Sequence, residues 1–226
     1  KKTGTLITQP CPPIIGYIKK NIPVLLEMLS PVYSPLLCTS VYLKKILGIP
    51  GKIAALTPCI AKKNEFDETN TISYNVTFKE LDRYISVNGS YIPKKPFEFE
   101  NIDSGMGVSH SMPGDIAKNI KHYMGEQVNI ELPVYDSVYR YIDSALINKV
   151  GDITVLLDAL NCARGCEFGT GCCIKKEKDN TNVNQQREQA NCIYHKADNR
   201  GLLRYFSCFD NKLQLSDYVN LKINRF

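Results

Sequence analysis

The sequence predicts an α/β protein of two lobes, in which mainly parallel sheets are flanked by helices and a site lies in the crevice between the lobes. Short apolar segments alternate with longer helical patterns along the 226 residues. Three of the short segments, at residues 4–7, 52–57 and 154–159, run directly into loops that carry cysteines. Ligands of open α/β sheets bind outside the carboxyl ends of the strands, so we expect the three loops to meet there.

Prolines and a glycine set the bounds of the elements in the first part of the chain. Residues 4–7 are predicted as a short buried strand. A helix over 12–29 follows, because consecutive prolines fit its first turn, and Pro23 kinks or splits it. A helix over 35–47, ended by a glycine, and a strand over 52–57 complete this part.

A capping box marks the next helix. Thr77 stands at the N-cap position with Glu80 three residues later, which predicts a helix over residues 77–87. The elements that follow alternate between helix and strand, as an α/β fold requires. They are a helix over 113–124 that a glycine stops, a strand over 128–132, a helix over 135–149, a strand over 154–159 and a short helix over 213–226.

The composition argues against two classes of partner. The formal net charge is +5, but no stripe of Lys and Arg with interleaved aromatic residues is present, so we expect no nucleic acid. No stretch approaches the roughly 18 apolar residues of a transmembrane helix, so we expect no membrane span. Residues 174–191 are polar and nearly free of aliphatic side chains, which predicts a solvated loop or an exposed helix.

The 9 cysteines are the strongest chemical signal in the chain. An odd number argues against a closed disulfide framework, and no apolar signal sequence opens the chain, so we expect reduced thiols. Three of the cysteines, Cys38, Cys192 and Cys208, stand alone in apolar or mixed surroundings. We interpret them as small buried side chains.

Four other cysteines, Cys11, Cys59, Cys162 and Cys166, stand in loops marked by proline or glycine. Soft thiolates from separate loops are the ligands of iron–sulfur clusters. Small residues beside them would let backbone N–H groups approach such a cluster. A zinc site is the alternative. Structural zinc sites use short paired cysteine knuckles, however, and only residues 162–173 come near that spacing.

Three motifs carry a resemblance to a known family, in the family's order. Residues 8–12, Thr-Gln-Pro-Cys-Pro, match the form Thr-Ser-Cys-Cys-Pro in part. Residues 58–65 match Pro-Cys-x-x-Lys-x-x-Glu in full, and residues 162–171 match a Cys-x-x-x-Cys pair followed by a glycine-rich turn. On these motifs the chain resembles the catalytic, H-cluster domain of [FeFe]-hydrogenases (iron hydrogenase large subunit, C-terminal domain) over nearly its whole length.

The resemblance implies a cofactor and its ligands. Cys11, Cys59 and Cys162 are expected to ligate a [4Fe–4S] cubane. Cys166 is expected to ligate the cubane as well and to bridge to a two-iron subsite with CO, cyanide and azadithiolate ligands. Together these two parts form the H-cluster of the family.

The resemblance also implies catalytic roles for Cys166, Lys62 and Glu65. Cys166 is the bridging ligand, Lys62 is expected to donate a hydrogen bond to a cyanide, and Glu65 is expected to support Lys62. A cation beside an electron-rich iron that carries cyanide stabilises the iron and fixes its orientation.

The chain departs from the family's motifs around this predicted site. Active members have, before the first ligand, a cysteine that relays protons, where this chain has Pro10. Leu36 and Cys172 replace glutamines of the family, and Thr57 replaces the methionine of the second motif. The ligands are therefore kept while the proton relay is lost, a pattern similar to the divergent, sensory branch of the family.

The resemblance implies partners outside the chain. Active members carry ferredoxin-like cluster domains upstream of the first motif, which here begins at residue 8. We therefore expect residues 1–226 to be one H-cluster domain from a longer protein. The expected partners are those upstream domains or an electron carrier, and a downstream signalling domain. The expected location is the cytoplasm of an anaerobic bacterium.

Other candidate residues carry weaker signals. The histidines lack metal-site spacing, so we interpret His110, His122 and His195 as surface or hydrogen-bonded side chains. Residues 103–107 are glycine-rich but lack the Gly-Lys-Ser/Thr ending of a phosphate loop. By the resemblance, this region packs near the cluster, which suggests a wall or lid role for Met106, Ser109 and Met112.

Three functions are consistent with these residues: a hydrogenase, a sensor that uses the same cluster, and a protein that keeps only the cubane. Fast turnover needs a proton relay of suitable pKa, and Pro10 has no titratable group. Lys62 and Cys166 argue against the cubane-only function, because both are expected to serve the two-iron subsite. The sequence therefore predicts an iron–sulfur protein with slow hydrogen turnover and a role in sensing H2 or redox state.

Overall fold

The computed structural model describes residues 5–8, 11–89, 110–124, 129–131, 138–148 and 155–173. Within these residues the chain is an α/β protein whose five short strands all pair in parallel. The strands are β1 (Thr5–Ile7), β2 (Ala54–Thr57), β3 (Tyr74–Thr77), β4 (Asn129–Glu131) and β5 (Val155–Leu157). The α-helices are α1 (Pro12–Asn21), α2 (Pro35–Val41), α3 (Lys62–Thr69), α4 (Phe78–Asn88), α5 (Asp115–Met124) and α6 (Val138–Asn148).

The first sheet has the strand order β1-β5-β4. Leu156 of the central strand pairs with Leu6 on one side and with Ile130 on the other. Helices α1 and α6 and a 3-10 helix (Pro23–Met28) cover this sheet and share its core. That core consists of Ile7, Ile14, Ile18, Leu25, Leu26, Leu29, Val138, Ile142, Leu157 and Ala159.

The second sheet contains β2 and β3 and has a separate core. Leu56 pairs with Val76 at the centre of the sheet. Its core is Leu37, Ala55, Phe66 and Ile72, which brings α2 and α3 onto this sheet. Burying a side chain such as Phe66 contributes roughly 1.5–3 kcal/mol of folding free energy. Two sheets with separate cores confirm the predicted α/β fold with two lobes.

Two predicted helices change geometry along their length. The helix predicted over residues 12–29 is split at Pro23, where a 3-10 helix (Pro23–Met28) replaces the α-helix. The split is the expected effect of a residue that has no N–H for the helical ladder. The helix predicted over 35–47 widens after its first seven residues into a π-helix (Tyr42–Ile46). Both elements were thus located correctly, but neither is one continuous α-helix.

Only half of the predicted capping box forms. The Glu80 N–H donates to Thr77 Oγ1 at 3.2 Å, so Thr77 caps α4 as expected. The Glu80 carboxylate does not return to Thr77; it pairs with Arg83 at 2.8 Å. Gly89, with φ +60°, ends the helix in the left-handed conformation that glycine adopts without strain.

Strand β3 and helix α3 were not predicted from the sequence. Helix α3 buries only Phe66, so its sequence has little amphipathic periodicity. The other described strands and α-helices were predicted within a few residues at either end, whereas the short 3-10 helix at Cys166–Phe168 was not predicted. The predicted polar segment 174–191 and the predicted helix 213–226 lie outside the described residues. Among the helices that the structure describes, none is long and apolar enough to cross a membrane.

Candidate functional site

The three cysteine loops meet at one cavity of about 410 Å³, beyond the carboxyl ends of strands from both sheets. Cys11 follows β1, Cys59 follows β2, and Cys162 and Cys166 follow β5; all four line the cavity, together with Lys62. The volume lies within the range of about 300–1,000 Å³ that is usual for ligand and cofactor pockets. The candidate site is therefore in the crevice where the fold class places it.

Cys11 is held at the start of α1. Its carbonyl oxygen accepts the N–H groups of Ile14 at 3.1 Å and Ile15 at 3.3 Å, as an N-cap residue does. The Asn161 N–H, from the loop after β5, donates to Cys11 Sγ at 3.4 Å. A donor in this position stabilises a thiolate. The first and third cysteine loops are thus joined at the sulfur of a predicted ligand.

Gly165 lets the third loop turn between Cys162 and Cys166. It has φ +105°, and a Cβ at this position would lie 2.8 Å from the Ser111 carbonyl oxygen. The Cys166 N–H donates to the same oxygen at 2.8 Å. Both the backbone conformation and the close approach therefore require glycine.

Two further glycines pack the third loop onto the second. A Cβ on Gly169 would lie 2.5 Å from the Pro58 carbonyl oxygen, and one on Gly171 would lie 2.8 Å from Thr77 Cβ. The Gly171 N–H donates to Pro58 at 2.9 Å, and the Gly169 N–H donates to the Cys166 carbonyl at 2.8 Å. These two N–H groups are used within the protein. The expectation that small residues free N–H groups for a cluster is therefore wrong for Gly169 and Gly171.

Burial dominates the electrostatics of the thiols. Burial, followed by the neighbouring thiols of Cys11, Cys162 and Cys59, raises the pKa of Cys166 to about 12, and Lys62 acts in the opposite direction. Burial also raises the pKa values of Cys11 and Cys162. Four thiolates at this site would therefore need cations among them, and the irons of a cluster would supply that charge.

The donor set fits a cluster better than a single ion. In the part of the chain that the structure describes, no three His, Cys, Asp or Glu side chains stand close enough together to hold one metal ion. A tetrahedral zinc site needs its thiolates at about 2.3 Å from one ion, and the described side chains as placed do not form such a site. A cubane distributes its four thiolates over four irons, as four soft donors around a shared cavity allow.

Lys62 and Glu65 form a largely buried ion pair in the first turn of α3. Lys62 Nζ lies 2.5 Å from Glu65 Oε2, and the side chains are 15% and 11% exposed. Lys62 lines the cysteine cavity, whereas Glu65 lines a smaller cavity of about 80 Å³ beside α1 and α3. Glu65 therefore contacts the Lys62 ammonium from outside the cysteine cavity, and its supporting role at a two-iron subsite stays a prediction.

Two of the positions that depart from the family's motifs, Leu36 and Thr57, line the cavity. His110 lines it too, and burial lowers its pKa, which favours the neutral imidazole at neutral pH. Met112 is partly buried but is not part of the lining, so the wall role suggested for it is not seen.

Cys172 lies behind the cavity wall, with Sγ 3.5 Å from the Cys166 carbonyl oxygen. Cys38 is only partly buried; its thiol donates to the Tyr33 carbonyl, and burial raises its pKa to about 11. The remaining predicted positions lie outside the described residues. These are Pro10, Met106, Ser109, Cys192, His195 and Cys208, together with the side chain of His122.

Asp158 was missed by the sequence analysis, although it connects the segments that lead into two of the cysteine loops. The Thr8 hydroxyl donates to Asp158 Oδ1 at 3.4 Å, and the Ala117 N–H donates to Oδ2 at 3.3 Å. Asp158 is 2% exposed, and burial raises its pKa. It joins the end of β1, the first turn of α5 and the end of β5. An acidic residue directly after an apolar strand was the available signal.

Comparison with known proteins identifies the family. The profile of the family described as iron only hydrogenase large subunit, C-terminal domain, matches residues 1–169. No curated protein matches the chain significantly.

Solved structures of [FeFe]-hydrogenases share the fold. An apo variant of the [FeFe]-hydrogenase HydA1 from Chlamydomonas reinhardtii aligns with a TM-score of 0.54 at 15% identity, over 82% of this chain and 65% of that chain. A variant of the same hydrogenase aligns with a TM-score of 0.60 at 15% identity, over 95% and 75%. A structure that describes stepwise H-cluster assembly in HydA(deltaEFG) aligns with a TM-score of 0.61 at 14% identity, over 95% and 74%. The chain thus spans about two thirds of the first of these proteins.

Proposed function

The chain belongs to the family described as iron only hydrogenase large subunit, C-terminal domain, and we propose that it is an iron–sulfur protein. We propose further that its hydrogen turnover is slow and that it senses H2 or redox state. The proposal assigns a [4Fe–4S] cluster to the four cysteines and a two-iron subsite to the space beside them. It makes the chain a hydrogen-responsive module of a larger protein.

One observation carries the cluster assignment. Cys11, Cys59, Cys162 and Cys166 come from three loops that are distant in sequence, and they line one cavity. Burial raises the pKa values of three of these thiols, so their thiolates need cationic compensation, and their donor type suits iron.

Lys62 and Glu65 support the assignment of the two-iron subsite. When bound, that group supplies the metal chemistry of hydrogen, and the protein supplies its orientation. Lys62 presents an ammonium to the cavity in which Cys166 lies, and Glu65 holds that ammonium at 2.5 Å. An ion pair of this kind positions a donor for an anionic ligand such as cyanide.

Slow turnover follows from the side chains available for proton transfer. Pro10 has neither a titratable side chain nor a backbone N–H. In the described wall of the cavity, the titratable groups besides the four cysteines are Lys62, which is paired with Glu65, and His110, which burial keeps neutral at neutral pH. The loss of a general acid or base typically lowers rates by about 10²–10⁴-fold. A slow centre of this kind suits a sensor, whose output goes to a signalling domain and whose electrons come from a ferredoxin-like carrier.

Iron and sulfide analysis of the anaerobically reconstituted chain, with infrared spectra after maturation, tests the proposal. We expect about four irons and four sulfides per chain from the cubane alone, and CO and cyanide bands once the two-iron subsite is loaded. A chain that binds iron but shows no such bands after maturation would be a cubane-only redox protein. Turnover at the rate of a fast hydrogenase would contradict the sensory role.

A further inference from the structure

Asn75, on a strand that carries no cysteine, holds the loop of Cys59. Its side-chain amide donates to the carbonyl oxygens of Cys59 at 3.0 Å and Ile60 at 3.2 Å. Its amide oxygen accepts the Thr57 hydroxyl at 2.5 Å. Both N–H bonds and the oxygen of the amide are therefore used, and this network fixes the orientation of the amide.

Thr57 closes the network on the other side of the loop. It is 1% exposed, and its hydroxyl oxygen accepts the Cys59 N–H at 3.4 Å. The same oxygen lies 3.1 Å from the Cys59 carbonyl oxygen, but its single proton is better placed towards Asn75, at 2.5 Å. The N–H and C=O groups of Cys59 are thus both tied to side chains, which restricts the direction of its thiol.

The same strand also holds the third cysteine loop. The Lys79 N–H, just after β3, donates to the Gly171 carbonyl at 2.9 Å, and Gly171 packs on Thr77. Gly171 in turn donates to the Pro58 carbonyl at 2.9 Å, which joins the third loop to the second. Strand β3 and the start of α4 therefore align the loop of Cys59 with the loop of Cys162 and Cys166.

We propose that Asn75 is a positioning residue for the metal centre and that it acts on Cys59 directly, through its side-chain amide, and together with Thr57. The inference rests on the proposed function, because it assigns Asn75 the task of aiming a ligand of the cluster. Partners that orient a ligand commonly change metal affinity by about 10–100-fold when they are removed. Asn75 holds the Cys59 carbonyl, Thr57 holds the Cys59 N–H, and the two side chains are bonded to each other, so removing either should loosen the same loop.

The test compares five variants of the full chain with wild type after anaerobic reconstitution. Asn75→Leu removes the amide at similar volume, and Thr57→Val removes the hydroxyl while Thr57→Ser keeps it. The double variant combines Asn75→Leu with Thr57→Val. Asn88→Leu is the matched control, because Asn88 is exposed and its side-chain amide donates to the Tyr84 carbonyl of its own helix α4, away from the cysteine loops. The measurements are iron release to a chelator, the EPR spectrum and midpoint potential of the reduced cluster, and melting of the iron-free chain.

We expect Asn75→Leu and Thr57→Val to release iron about 10–100-fold faster than wild type and to shift the EPR spectrum. The double variant should release iron less fast than the product of the two single effects, as expected for residues that are bonded to each other. Thr57→Ser and Asn88→Leu should retain wild-type spectra. If Asn75→Leu melts early without iron, the comparison of Thr57→Val with Thr57→Ser decides the question.

Wild-type iron release and EPR spectra in both Asn75→Leu and Thr57→Val would overturn the inference and leave the proposed function intact. A Thr57→Ser variant that behaves like Thr57→Val would also overturn it, because the hydroxyl would then not be the acting group. A wild-type chain that takes up no cluster would overturn the proposed function and this inference with it.

Discussion

Replacing Gly169 by alanine tests how the third cysteine loop is held against the second. Gly169 has φ −66° and ψ 167°, a conformation that any residue adopts, so alanine meets no backbone strain. Its Cβ, however, would lie 2.5 Å from the Pro58 carbonyl oxygen and 2.8 Å from the Cys166 carbonyl oxygen. Both oxygens belong to the backbone of cysteine loops. Because a backbone oxygen cannot move away by a change of side-chain rotamer, one of the loops must shift.

Gly169→Ala is expected to lower the free energy of unfolding by roughly 1–3 kcal/mol, the usual effect of overpacking. For a chain of this size each kcal/mol lowers the melting temperature by about 2–4 °C, so the variant should melt roughly 2–12 °C below wild type. Gly16→Ala is the matched control, because Gly16 lies within α1 and a Cβ there would meet no atom within 4 Å. It should raise stability by about 0.5–1 kcal/mol through helix propensity alone.

Two measurements decide the outcome for Gly169→Ala. Thermal unfolding of the iron-free chain, followed by circular dichroism, gives the melting temperature. Iron and sulfide per chain after anaerobic reconstitution then report whether the second and third loops still present their thiols together. We expect Gly169→Ala to fall well short of the roughly four irons of one cubane, and Gly16→Ala to reach that number. A Gly169→Ala chain with wild-type melting and full iron would refute the proposed packing of the loops.

Four further predictions concern single side chains. Cys59→Ala should abolish cluster formation by iron and sulfide analysis, whereas Cys173→Ala, at an exposed position outside the cavity, should reconstitute fully. Pro10→Cys in the matured protein should raise H2 evolution from reduced methyl viologen, by at most about 10²–10⁴-fold; an unchanged rate would place the limiting step elsewhere. Lys62→Gln should weaken retention of the two-iron subsite about 10–100-fold, visible as lost CO and cyanide infrared bands while the cubane stays. Ser34→Ala should lower stability by about 1 kcal/mol in chemical unfolding, because the Ser34 hydroxyl accepts the Leu37 N–H at 3.4 Å at the start of α2.

Features that act over a few residues were predictable from the sequence. Pro23 splits its helix and Thr77 caps another, because a missing N–H and a side-chain acceptor have local effects. That the four candidate ligands share one cavity was predictable for a different reason: iron–sulfur chemistry restricts the residue type to cysteine, and proline and glycine mark the loops. Strand β3 has no such mark. Strand β3 has four residues and pairs with one neighbouring strand. Its alternation of apolar and polar residues is therefore too short to distinguish from the start of α4.

The residues that position the predicted ligands could not be predicted from the sequence, because many polar side chains can form the same hydrogen bonds to a loop backbone. Asn75 reaches Cys59 from 16 residues away in sequence, and nothing in its surroundings marks an amide that must bond to a particular carbonyl. The structure also gives a physical reason why the second motif tolerates Thr57 in place of the family's methionine. A buried threonine needs partners for its hydroxyl, and Asn75 and the Cys59 peptide provide them. The departure at Thr57 is thus compensated within the loop that it alters, so the predicted ligand Cys59 stays held although the wall around it has changed.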